Sequence, residues 1–273
     1  MAKKRRSLQS HGRRSKVYVP VLTLIFRRRY RPRLQQVDFS LDDIRAALVE
    51  LKLERGRNPA DVVYRMRSRT VLPDVIRRAG FHVLRAIGRG KYRFERAQGT
   101  IIDIPRGKVI QALDLTPLPV RRLLPQTLSL IDEQGLLSMA SYCKLLDHFT
   151  GLTVFRLRSH VRKSVTGVGQ AELDEVDVGV ALRDDEIPVV IPIEAKAAEE
   201  PVNRVQIIYQ IAYARQYFPG HEIRPVCLKI DYDNLIHLLE FNVADTAAEL
   251  RVLRNASYRL KLSESQARFV RDP

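Results

Sequence analysis

Residues 189–200 read VVIPIEAKAAEE. The apolar run Val189–Ile193 leads straight into Glu194, Ala195 and Lys196. A short continuous apolar run reads as a buried strand, and side chains two apart on a strand share a face. A carboxylate and an ammonium therefore sit together at the end of a core strand. Upstream, residues 171–182 read AELDEVDVGVAL. Val176, Val178 and Val180 take one face of this second strand, and Glu175 and Asp177 take the other. Burying unpaired carboxylates costs several kcal/mol on the order described for buried ions, so acids on a core strand call for a cation beside them.

If residues 183–187 turn the two strands into a hairpin, the carboxylates of Asp177 and Glu194 converge at one end. Two such oxygen donors, with the Ala195 carbonyl as a third, suit Mg²⁺, which takes one or two carboxylates plus waters and phosphate oxygens. Mn²⁺ would substitute. Lys196 would hold or deprotonate an attacking water and offset charge in the transition state. These are the parts that hydrolysis of a phosphodiester requires.

With Asp177 seventeen residues before Glu194-Ala195-Lys196, the chain resembles the PD-(D/E)XK nuclease superfamily, which includes type II restriction endonucleases and junction resolvases. Val176-Asp177 stands where the superfamily often has Pro-Asp. The resemblance covers about residues 125–243 as an α-β-β-β-α-β core. It implies catalytic roles for Asp177, Glu194 and Lys196, and a metal-holding glutamate on the helix before the first strand, for which Glu133 is the candidate. It also implies polar side chains on the helix after the motif, where Gln206 and Gln210 would stand behind the carboxylates. A restriction role would further imply a homodimer and a cognate methyltransferase.

The elements that must position these residues follow from periodicity. A helix is expected within 126–149, strands at 153–163, 172–182 and 188–197, a helix at 201–217, strands at 223–230 and 235–243, a helix at 245–254 and a short strand at YRLKL. Glu199 and Glu200 read as the acidic first turn of the helix after the motif.

The N-terminal half is a different texture. Residues 1–37 hold twelve Lys/Arg and no Asp/Glu, which reads as a basic arm with a short strand at 17–26. Ser40 with Asp43 three residues on marks a helix start, and helices are expected over SLDDIRAALVELKLERG, NPADVVYRMRSR and LPDVIRRAG. FHVLRAIGRGKYRFERA then reads as a β-hairpin turning at Gly88-Arg89-Gly90. Helices followed by a basic hairpin resemble a winged-helix module, whose recognition helix enters the major groove. Arg65, Arg67, Arg69, Arg77, Arg78, Arg89, Lys91 and Arg93 are its candidate DNA contacts. Residues 97–125, rich in Pro and Gly, read as a connection.

The expected organisation is thus a basic arm (1–37), a helical winged-helix-like DNA-binding domain (38–120) and a nuclease domain (121–273). The fold class is α/β (α+β), with a restriction-endonuclease-like mixed sheet flanked by helices. The formal net charge of +16 and pI near 10.2 favour a polyanionic partner, here DNA. Cys143 and Cys227 lie in apolar contexts without metal-ligand spacing, so buried thiols in a reducing compartment are expected. The ten-residue run at 17–26 is too short to span a bilayer. The expectation is a cytoplasmic protein, at the nucleoid if bacterial, without a membrane. Two other readings remain open: a non-catalytic DNA- or RNA-binding protein, and a repair, junction or mobile-element nuclease of the same fold. In the former, Glu194–Lys196 is an ion pair at a strand end.

Overall fold

The computed structural model describes residues 17–53, 58–66, 71–117, 131–181 and 187–262. The chain divides into two units. The first is 1–100 with 166–169 and 246–248, and the second holds the rest. The division after Thr100 falls earlier than the boundary expected near 120.

In the first unit, residues 17–29 form a helix (α1) where a strand was expected. Val17, Tyr18, Val21, Leu22, Ile25 and Phe26 are all buried. They recur every four residues, the spacing of one helical face and not of a strand. The β-branched residues and Pro20 disguise that periodicity. β1 (Gln36–Ser40) follows, then α2 (Leu41–Glu50), α3 (Asp61–Met66), α4 (Asp74–Arg78), β2 (Phe81–Gly88) and β3 (Lys91–Arg96). The start of α2 is a full capping box: the Asp43 amide donates to the Ser40 hydroxyl, and the Ser40 amide donates to the Asp43 carboxylate. The three strands order as β1-β3-β2, all antiparallel. Their apolar face and the helices share one core around Phe26, Phe81 and Phe94.

The second unit is a mixed α/β layer structure. β4 (Val109–Asp114), α5 (Glu133–Tyr142), α6 (Leu145–Thr150), β5 (Thr153–Val165), β6 (Gly169–Val180), β7 (Val189–Lys196), α7 (Arg204–Tyr217), β8 (Val226–Ile230), β9 (Leu235–Phe241) and β10 (Val252–Leu262) follow in order. The seven strands lie as β4-β10-β9-β8-β7-β6-β5. β7 and β8 are parallel, joined by the crossover helix α7, and β4 and β10 are parallel as well. Three expectations fail here. The supposed connection contains β4. The single helix of 126–149 is two, broken at Lys144 in the left-handed region (φ 52°). The helix expected at 245–254 gives way to the long strand β10, whose alternation pairs it to both β9 and β4. Among the described residues, no helix is long and apolar enough to cross a membrane.

β7 is buried along its whole length. One face, Ile191, Ile193 and Ala195, packs into the core with Leu136, Met139 and Phe149 of α5 and α6. The other, with Glu194 and Lys196, faces α7. Close packing at the first face depends on Gly179 of β6, since a Cβ there would meet Leu152 at 2.6 Å and Ile191 at 3.1 Å. Gly179→Val is expected to lower stability by about 2 kcal/mol through overpacking, measured as a lower midpoint in urea denaturation.

Candidate functional site

The register between β6 and β7 decides which acids meet. Glu175 lies opposite Ile193, Val176 opposite Pro192 and Asp177 opposite Ile191. Residues directly opposite on antiparallel strands share a face. Asp177 therefore lies on the Ile191 face, and its carboxylate does not join that of Glu194. One step further along the same register, Asp174 stands across from Glu194. Its carboxylate accepts the Ala195 amide at 2.8 Å. The residue that joins Glu194 and Lys196 is Asp174, not Asp177. Ala195 contributes its amide to this cluster, and its side chain is in the core.

Glu194 is 3% exposed. Its Oε1 lies 2.5 Å from the Lys196 ammonium. Gln206 Nε2 donates to Oε1, and Gln210 Nε2 donates to Oε2 at 2.8 Å. Gln206 and Gln210 are four apart, so one face of α7 presents both to the carboxylate. α7 starts where it does because Asn203 caps it, accepting the Val205 amide at 2.8 Å. Burial pushes the Glu194 carboxyl up to about 7, against the pull of Lys196 and with a further push from Asp174. Burial likewise raises Asp174, against the Ala195 amide and Lys196. Burial disfavours the Lys196 ammonium, but Glu194 outweighs it and the pKa stands above the ordinary lysine value.

Glu133, in the first turn of α5, lies against Glu200, and hydrogen bonding between the two carboxyls lowers Glu133 and raises Glu200. Lys196 lies 4.0 Å from Glu200. Glu200 belongs to a tight turn after β7, its amide donating to the Ala197 carbonyl at 3.0 Å, and not to the helix that was expected to begin there. Lys229 of β8 fixes this exit by donating to the carbonyls of Ala197 and Ala198 at 2.6 and 2.7 Å. Cys143 and Cys227 are both free and buried. Cys227 pairs with Glu194 across β7 and β8, and burial raises its thiol far above the usual range.

The carboxyls of Asp174, Glu194, Glu133 and Glu200 thus all feel the Lys196 ammonium, and Lys229 acts on Glu200 as well. Two acceptor oxygens there, Gln210 Oε1 and Glu200 Oε2, are buried without a hydrogen-bond partner. Among the described residues, no three His, Cys, Asp or Glu side chains form a cage that could hold a metal ion by themselves. A hard cation that keeps waters and takes substrate oxygens needs only one or two carboxylates from the protein.

Sequence reasoning missed Asp174 and Glu200. Which acid meets Glu194 depends on the register between β6 and β7, and a shift of one residue moves every side chain to the other face. His237 bridges Ser257 Oγ at 2.8 Å and Asp231 Oδ2 at 2.9 Å. Ser257 is buried in mid-strand, and Asp231 also accepts the amides of Asp233 and Leu235. This trio holds the β8–β9 turn.

Of the candidate DNA contacts, Arg78, Arg89 and Lys91 are exposed. Arg77 is engaged with Asp74 and the Leu72 carbonyl. Arg93 grips the Asp38 carboxylate at 2.5 and 2.7 Å. Arg67, Arg69 and the Arg65 side chain lie outside the described residues, as does the arm before residue 17. No protein-family model matches this chain, and neither does any curated protein or solved structure.

On the other face, Asp177 is buried and shares a hydrogen bond with Glu175, which Arg156 grips at 2.7 Å. Burial first, then Glu175, pushes the Asp177 carboxyl up to about 8 from an ordinary 3.8. A raised carboxyl keeps its proton in the fold after the unfolded chain has lost it, so stability falls as pH rises between those two values. The slope is at most about 1.4 kcal/mol per pH unit. Asp177→Asn is expected to flatten this loss, so that urea midpoints from pH 5 to 9 fall less steeply in the variant than in the wild type.

Proposed function

We propose that the chain is a Mg²⁺-dependent DNA endonuclease. The observation that carries this is the meeting of Asp174, Glu194 and Lys196 on one face of adjacent strands. The order α5/α6, β5, β6, β7, α7, β8 supports it, being the α-β-β-β-α-β order of the PD-(D/E)XK superfamily. In this reading Asp174 takes the place that Asp177 holds in the simplest match to the motif. The order of the first unit, α1-β1-α2-α3-α4 and then a β2–β3 hairpin whose β3 also pairs with β1, supports a winged-helix-like module that binds the duplex through Arg78, Arg89 and Lys91.

Asp174 and Glu194 would hold the cation, with Glu133 at its edge, and the excess of carboxylates over ammonium groups fits a divalent ion. Mg²⁺, or Mn²⁺ in its place, supplies charge neutralisation at the scissile phosphate and an acidified water. Gln206 and Gln210 fix the Glu194 carboxylate, and the Ala195 amide fixes that of Asp174. Lys196, held charged, orients the attacking water and faces the negative charge that develops on the phosphate. A restriction role would add a homodimer and a methyltransferase. The same chemistry serves a repair, junction or mobile-element nuclease.

Plasmid and linear DNA incubated with the protein, with Mg²⁺ or with EDTA, test the reading. Cleavage should require the metal. Asp174→Asn and Lys196→Met should each slow it at least about a hundredfold, while Asp177→Asn should leave it within a few-fold of the wild type. Cleavage that survives the first two variants removes the site assignment, and absence of cleavage on any DNA or RNA leaves the binding-protein reading.

A further inference from the structure

β5, the last strand at one end of the sheet, carries features that the carboxylate cluster does not use. Among the described residues its outer edge has no strand partner. It runs for thirteen residues, TVFRLRSHVRKSV, without one acid, a length of about 40 Å. Most of it is exposed. Phe155 (58% exposed) and Leu157 (46%) alternate with Arg156 and Arg158. Native sheets often protect an edge with charge, but large exposed apolar side chains among the charges work against protection.

Two contacts tie this edge to the site. Arg158 donates to the Tyr213 hydroxyl at 3.5 Å and lies 5.9 Å from the ring centre of Phe218. Tyr213 is on α7, the helix that presents Gln206 and Gln210 to Glu194. His160 has left-handed backbone (φ 49°), a conformation that costs about 1–3 kcal/mol away from glycine and gathers at functional sites. The acids beside the edge are already answered: Glu175 by Arg156 at 2.7 Å and Glu172 by Arg162 at 3.2 Å.

We propose that β5 is the track for one unpaired strand of nucleic acid, whose phosphates follow Arg158, Arg162 and Lys163 toward Asp174 and Glu194 while a base rests on Phe155. Duplex grooves are read by a helix or a two-stranded ribbon. Cations interleaved with an exposed aromatic ring suit a single strand, whose phosphates and bases are both within reach. The destination of the track rests on the nuclease reading, but binding along it does not. The substrate is then a nucleic acid with an unpaired segment at the point of cutting.

The test uses the full-length Asp174→Asn protein in EDTA, with labelled oligo(dT) and a labelled hairpin duplex, followed by fluorescence anisotropy over a salt series. Arg162→Gln/Lys163→Gln, at exposed positions, should weaken oligo(dT) binding about tenfold and reduce the salt slope by about 1.4, the value for two phosphate contacts on a single strand. Phe155→Ala should weaken oligo(dT) at least about fivefold and leave duplex binding unchanged. Unchanged oligo(dT) affinity in both variants, or an equal loss on duplex, overturns the track. Cleavage separates the two claims. If the otherwise wild-type protein cuts nothing but the β5 variants still lose oligo(dT), the nuclease reading fails and the track stands. If it cuts and the β5 variants cut unpaired DNA with the same kcat/KM, the track fails and the nuclease reading stands.

Discussion

The buried ion pair between Glu194 and Lys196 is the constraint around which the second unit is arranged. A carboxylate 3% exposed to solvent is tolerable only with its charge balanced and its lone pairs occupied. Lys196 supplies the balance and two glutamines supply the hydrogen bonds. α7 must therefore cross this face of β7, and its start is fixed by Asn203. The opposite face of the same strand must be wholly apolar, because α5 and α6 seal it. A strand buried on both sides, with parallel β8 on one flank and antiparallel β6 on the other, holds the pair with little freedom.

That arrangement sets a local charge against a global one. The chain as a whole is strongly positive, while the face around Lys196 gathers four carboxyl groups. A basic surface draws a polyanion from a distance. Close in, the same polyanion would be repelled by the carboxylates unless a cation stood between them. Affinity and chemistry would thus be assigned to different groups of the same protein, which is why the bulk charge could suggest a partner but not a site.

Much of this was legible in the sequence. Glu194 and Lys196 announce themselves because the apolar run before them fixes a strand, and Gln206 and Gln210 because their spacing is helical. Asp174 was not legible, since a hairpin register one residue out moves every side chain to the other face, and three acids stand within four positions of β6. Glu200 was hidden because the chain turns sharply after β7 where continued helix was expected. In α1, β-branched residues and Pro20 imitate a strand until the four-residue spacing of its buried positions is counted. β4 was obscured because the strand it pairs with, β10, is more than a hundred residues away. Such partners leave no trace in local periodicity.

The parallel alignment of β7 and β8 also bears on how the protein folds. Asp174 and Glu194 can be brought together by a local hairpin, whose closure is fast. Lys229 and the buried wall of β8 reach β7 only after α7 has crossed over, a slower, non-local closure. The contact between Asp174 and Glu194 is thus local in the chain, while the support that β8 gives them is not.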